Sequence, residues 1–287
     1  MKYILVLIIN KVKQVFSLIL KKRNKQKSLI YIHIGKCGGT SMLNSFKAKN
    51  NRIKIFHMDR PRLVGDFDSN QYLFLVRNPL DRFVSAFNYS KNIIEFDTSK
   101  LNAIELNIEN CPAPFWIKRK IENNGLVFNK AYDELINTFK TANDLAESLS
   151  SNNKLIRNKA HKLMVNECQH IFKGIGWYLH NGMLIRLIYK NIIFVGRLEY
   201  LNNDIEKFNK KILDSSLVKK ENYKFNQEVV HLRMNKNNYD KRLSSLAIRN
   251  LKKWYSKTDY LALEIMNEYR LIDNYTLEEY KNYKNKI

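Results

Sequence analysis

The chain is poor in the residues that build loops and crosslinks. Its 287 residues include four prolines, nine glycines and three cysteines. So little Pro and Gly argues against a loop-rich sandwich or a collagen-like array. Cys37, Cys111 and Cys168 match no CxxC metal or redox pair, and three cysteines cannot all pair within one chain. A reducing compartment is the simpler reading, with a Cys111–Cys168 bridge left open. Acidic residues are also scarce. Against 27 Asp and Glu stand 50 Lys and Arg, a formal charge of +23. That surplus favours anionic partners: nucleotides, acidic glycans, membrane surfaces or nucleic acid.

Long hydrophobic runs are missing too. Tyr3–Ile9 is apolar, but Asn10, Lys11 and Lys13 interrupt it before Val15–Leu20. The stretch is too short and too charged for a spanning helix. No small-residue cleavage site follows it, so a secretory signal is not supported. Residues 1–27 carry no acid and read as a basic amphipathic segment at a membrane surface, or as an ordinary packing helix. A cytoplasmic location at the inner face of a membrane is the expectation.

Apolar residues make up 45% of the chain and aromatics 12%, enough for a sizeable buried core. Short apolar runs at Leu29–Ile34, Ile53–Phe56, Tyr72–Val76 and Ile192–Val195 read as buried strands. Pro79 opens a helix in which Leu80, Phe83, Val84 and Phe87 share one face, with Arg82 and Ser85 on the other. The middle, roughly 96–190, is helical in pattern, with a break at Cys111-Pro-Ala-Pro114. Strands alternating with helices predict an α/β fold with a parallel sheet covered on both faces. No linker divides the chain after residue 28, so 28–287 read as one domain.

Three of the nine glycines fall within the segment Ile34-Gly-Lys-Cys-Gly-Gly-Thr-Ser41, between a strand and a helix. Glycines let backbone N–H groups turn inward as an anion nest, and the helix N-terminus adds partial positive charge. Lys36 adds a full charge; Thr40 and Ser41 add hydroxyls. This describes a phosphate seat, but not a Walker A motif, in which Lys stands immediately before Ser or Thr. A second constellation is Val76-Arg-Asn-Pro-Leu-Asp-Arg-Phe-Val-Ser-Ala-Phe87. Arg77 ends a strand, where side chains of an open α/β sheet reach the ligand crevice. Ser85 lies about two turns into the next helix. A guanidinium and a hydroxyl suit a second phosphate. The Asp81–Arg82 pair reads as solvated.

IHIGKCGGTS followed by FLVRNPLDRFVSAF resembles the two nucleotide-binding motifs of the carbohydrate sulfotransferases that use 3′-phosphoadenosine 5′-phosphosulfate (PAPS). The branch in question includes heparan sulfate 2-O-sulfotransferase and bacterial relatives. FVGRLEYLNNDI (194–205), HLR (231–233) and KKWYSKTDY (252–260) extend the likeness from about 28 to 270. The resemblance implies a P-loop NTPase-like three-layer domain with a helix-rich insertion and C-terminal part. It implies that Gly35, Lys36, Cys37, Gly38, Gly39, Thr40 and Ser41 seat the 5′-phosphosulfate, and that Arg77 and Ser85 seat the 3′-phosphate. Two departures stand out. The family usually has Pro where Gly35 stands and Thr where Cys37 stands.

Sulfuryl transfer needs in-line positioning and stabilisation of the leaving oxygen, the demands of phosphoryl transfer. Lys36 is the candidate for that charge, and no metal is called for. The acceptor hydroxyl wants a base. His57, ending the second strand, matches by resemblance the base of the heparan branch. His170 is the alternative base or acceptor contact, and Arg233 a candidate acceptor contact. His33, inside a strand, reads as structural, Glu199 as stabilising a helix terminus, and Arg197 as no site residue. A kinase or other NTPase would need a Walker A spacing and a Walker B acid. A nucleic-acid module would need a recognisable signature beside its charge. The expected partner is an anionic carbohydrate acceptor such as a cell-surface polysaccharide, with contact to an anionic membrane and no nucleic acid. Two sequons, at Asn88 and Asn274, do not argue for a Golgi location.

Overall fold

In the computed structural model, residues 28–39, 42, 53–57, 60–64, 67–68, 70–95, 128–214 and 240–285 are described, with backbone alone at 28, 53–57 and 209–214. Strands β1 (Ser28–His33), β2 (Ile53–His57), β3 (Asn70–Val76) and β4 (Ile192–Arg197) form one sheet in the order β2-β1-β3-β4. All three pairings are parallel. Each strand lies within two residues of its predicted range. From Tyr72 to Val76 every β3 side chain is buried, so both faces of that strand are covered.

Because the strands are parallel, their carboxyl ends share one edge of the sheet. The 34–39 loop after β1, His57 at the end of β2 and Arg77 after β3 are therefore brought to the same rim.

Helix α1 (Pro79–Glu95) leaves that rim with Leu80, Phe83, Val84 and Phe87 buried as expected. Asn78 caps it, its side-chain oxygen accepting from the Leu80 N–H at 2.9 Å. The Asn78 N–H donates to Glu199 Oε1 at 2.9 Å, and Tyr280 O–H donates to Glu199 Oε2 at 2.7 Å. Glu199 thus supports the positive end of α1, a helix distant in sequence. Asn88, in the first sequon, is 2% exposed, so the folded chain cannot be modified there.

The described part of the middle is helical, with α2 (Lys130–Asn137), α3 (Ala142–Ser148), α4 (Lys154–Met164), α5 (Ile175–Tyr178) and α6 (Met183–Ile188). After β4 come α7 (Leu201–Asp214), α8 (Ser245–Tyr255), α9 (Leu261–Glu268) and α10 (Asn274–Lys281), with a π-turn at Ser256–Tyr260 between α8 and α9. Thr141 and Asp144 form a reciprocal capping box at α3. Ser244 caps α8 and Asn250 donates to the Ala146 carbonyl at 2.9 Å, locking α8 onto α3. Among the described residues no helix is long and apolar enough to cross a membrane. The basic segment 1–27, Cys111 and the break at 111–114 lie outside the described residues.

Candidate active site

The loop after β1 is a tight turn built on two left-handed residues. Lys36 has φ 68° and Gly38 φ 86°. For Gly38 this costs little; for Lys36 it is a held, unfavourable conformation of the kind that clusters at ligand sites. The Cys37 N–H donates to the Ile34 carbonyl at 3.3 Å, and the Met42 N–H donates to Gly38 O at 3.2 Å, the first helical bond after the loop. Two glycines are required by close approach. A Cβ on Gly35 would run into the His170 imidazole and stand 2.9 Å from the Tyr178 hydroxyl; one on Gly39 would run into the His33 ring. Gly35 therefore stands directly against a histidine ring.

Lys36 turns its ammonium onto Tyr89 of α1, 3.8 Å from the ring centroid. The other face of this small cluster is His170, whose ring lies 5.7 Å from that of Tyr89. Cys37 turns its sulfur into the core, where burial pushes the thiol up to about 12. It can offer a ligand only its main chain. Thr40, Ser41 and Arg233 lie outside the described residues, as does the side chain of His57. The His57 backbone is placed, in register with His33 across β1 and β2.

Arg77 reaches across to the loop, donating from Nη1 to the Lys36 carbonyl at 3.4 Å. Ser85 is half-buried on α1. The two predicted anion sites are thus joined by a hydrogen bond, with two half-buried cations, Lys36 and Arg77, on one rim.

Arg82 corrects the sequence expectation. It does not pair with Asp81 in solvent; its side chain is fully buried. Its Nη1 donates to the carbonyls of His170 at 2.9 Å and Lys173 at 3.0 Å, and its Nε lies 3.6 Å from Asp259 Oδ2. Asp259 also accepts from the Gly176 N–H at 2.9 Å. Burial pushes the Asp259 carboxyl up, against the pull of Arg82. Asp81 instead accepts from the Tyr283 hydroxyl at 3.0 Å. A helix position cannot tell from sequence which way a long cation turns, because the apolar stem packs as readily as the head solvates. The buried pair ties segment 168–176 to α1, which is what carries His170 to the rim.

His170 is kept neutral. Burial lowers its pKa well below the usual histidine value, and the charges of Lys36 and Arg82 push the same way. Its Nδ1 is buried and has no hydrogen-bond partner among the described residues. Arg197 is consumed structurally: it makes a bidentate pair with Asp204, at 2.9 and 2.8 Å, and donates to Thr276 at 2.6 Å. Tyr89, Arg82 and Asp259 were not foreseen as part of this site. The only sequence signal was the recurrence of Arg five residues after Arg77, and Asp259 within the 252–260 segment.

A strand end, a glycine loop with a bent lysine and an arginine after the neighbouring parallel strand form a rim suited to a doubly anionic ligand. No curated protein and no solved structure matches the chain. A model of the sulfotransferase family matches residues 22–264, a span that takes in the glycine loop, Arg77, His170 and the Asp259 turn. By that match over most of its length, the chain belongs to the sulfotransferase family.

Proposed function

We propose that this sulfotransferase uses PAPS as donor and a carbohydrate hydroxyl as acceptor, in a P-loop-like domain spanning 28–287. The observation that carries the reading is the contact of Arg77 with the Lys36 carbonyl, which sets the two anion-binding motifs side by side. The loop fits such a donor. Gly35 and Gly39 tolerate no side chain, and the left-handed Lys36 and Gly38 are the backbone form of an anion nest.

When bound, PAPS supplies an activated sulfuryl group. The main chain of 35–39, with Thr40 and Ser41, seats the 5′-phosphosulfate, and Arg77 with Ser85 seats the 3′-phosphate. The Lys36 ammonium, held over Tyr89 beside the loop, would neutralise charge on the departing phosphate oxygen, a contribution of about 10²–10³ in rate for a placed donor. The acceptor hydroxyl would give its proton to His57, at the carboxyl end of β2, with His170, whose ring borders Gly35 of the loop, as the second candidate. Such a base is worth roughly 10²–10⁴-fold. The acceptor we favour is an anionic cell-surface polysaccharide, reached by an enzyme whose basic 1–27 segment rests on the inner membrane face.

The reading is tested by thermal unfolding with 3′,5′-adenosine bisphosphate and, separately, with ATP and Mg²⁺. At about 100 times Kd a ligand of the native state adds about 2.7 kcal/mol. Stabilisation by the bisphosphate is expected; stabilisation by ATP–Mg²⁺ alone would instead indicate a kinase. Lys36→Ala should abolish transfer of radiolabelled sulfate while the unfolding temperature holds.

A further inference from the structure

Beside the glycine loop lies an aromatic ring flanked by two cations. The Trp177 ring packs edge-on against Tyr178, with centroids 4.9 Å apart and planes at 87°. The Tyr178 hydroxyl borders Gly35, so Trp177 stands one ring out from the loop. Arg60 lies over Trp177 at 5.8 Å and Lys173 at 5.2 Å from the ring centroid. Trp177 is half-buried and Arg60 exposed. Among the described residues the ion pairs all belong to other cations, so neither Arg60 nor Lys173 has a carboxylate partner. Main-chain bonds fix Lys173 and the residue after Arg60. The Lys173 carbonyl is held by Arg82, and the carbonyl of Pro61, next to Arg60, is held by His180.

The side of the loop matters. Arg77 follows β3, whereas Arg60 follows β2, and β1 with its glycine loop runs between them. A donor reaching from the loop to Arg77 occupies the β3 side. The Trp177 platform is on the β2 side, the side of His57, which is left for the acceptor.

We infer that Trp177, Arg60 and Lys173 form an acceptor subsite that binds an anionic pyranose. The inference rests on the sulfotransferase reading above. The C–H face of a sugar ring packs on the indole, while its carboxylate or sulfate ester takes the Arg60 guanidinium, a planar fork suited to both, and the Lys173 ammonium. With no counter-ion for either cation among the described residues, such a sugar should be preferred over a neutral one. Removing an aromatic anchor of this kind from a binding site typically costs more than any surrounding contact.

The test is direct binding, by calorimetry at about 0.15 M salt, to the full chain with and without 3′,5′-adenosine bisphosphate. The probes are an oligouronate, a sulfated dextran oligosaccharide, neutral maltohexaose and polyglutamate. One or both anionic sugars should bind, with maltohexaose weaker by at least about tenfold. Which of the two binds better names the anion. Trp177→Leu and Arg60→Ala should each weaken that binding by about fivefold or more, while bisphosphate affinity stays within about twofold. Arg60 is exposed, so its variant tests the subsite even if Trp177→Leu misfolds. Anionic sugars that fail to bind, or that bind both variants as well as the parent, overturn the subsite. So does polyglutamate binding with the same dependence on Trp177, or bisphosphate affinity lost in Trp177→Leu, which would assign the ring to the donor. If the parent protein binds no bisphosphate, the donor reading fails, and the sugar arms still report on the subsite.

Discussion

The Lys36 ammonium rests on the Tyr89 ring at 3.8 Å from its centroid, joining the glycine loop to the helix that carries Ser85. A cation over an aromatic face at this range is worth about 0.5–2 kcal/mol, depending on how dry the site is. Under the proposed mechanism, Tyr89 is a positioning residue that holds the lysine beside the loop.

That positioning role predicts a graded series. Tyr89→Phe keeps the ring and should keep kcat within about twofold, whereas Tyr89→Leu should lower kcat by about 2- to 30-fold. Donor KM should move less than kcat. Steady-state kinetics on both variants check this, and equal losses in Phe and Leu would remove the ring from the account.

Gly35 and His170 occupy each other's space. Gly35→Ala should destabilise the protein and weaken bisphosphate binding, because the methyl group meets the imidazole. Adding His170→Ala should recover part of the loss. A double-mutant cycle should show coupling of about 0.5–3 kcal/mol; additive effects would mean the clash is relieved elsewhere.

Asp259 is the acidic partner of the buried Arg82 guanidinium. Asp259→Ala leaves a buried charge uncompensated and should cost about 3–5 kcal/mol in urea unfolding. Arg82→Lys should also fail, since a point ammonium cannot serve two carbonyls and a carboxylate from one place. Less than about 1 kcal/mol for Asp259→Ala would indicate that water reaches the pair.

His170 imposes a pH dependence of known sign. Its native pKa lies well below 6.5, so on acidification the unfolded chain takes up a proton that the native chain refuses. Its contribution is complete above that ordinary value and is lost as pH falls through it toward the native value. The slope for one such group is at most about 1.4 kcal/mol per pH unit. Stability curves of the parent and of His170→Gln, measured from neutral to acidic pH, should diverge in this way. Parallel curves would place the titration on another group.

The strands, the α1 helix and the glycine turn after β1 were legible because each is local. Four short apolar runs, a proline at a helix start and clustered glycines act through nearest-neighbour sterics and periodicity. Cys37 shows the limit of that reading. Its place in the loop motif suggested a ligand contact, yet its sulfur packs into the core, because motif membership does not say which face of a turn a side chain takes.

By itself the sequence determined a parallel α/β frame and the two motifs that place the chain among sulfotransferases. Only the tertiary structure decided that Arg82 is buried against Asp259, that Lys36 leans on Tyr89, and that Arg60 lies over Trp177. Each of those contacts joins residues far apart in the chain. Their orientation is set by packing and by the need to satisfy buried polar groups, and no local pattern encodes which distant partner will do so.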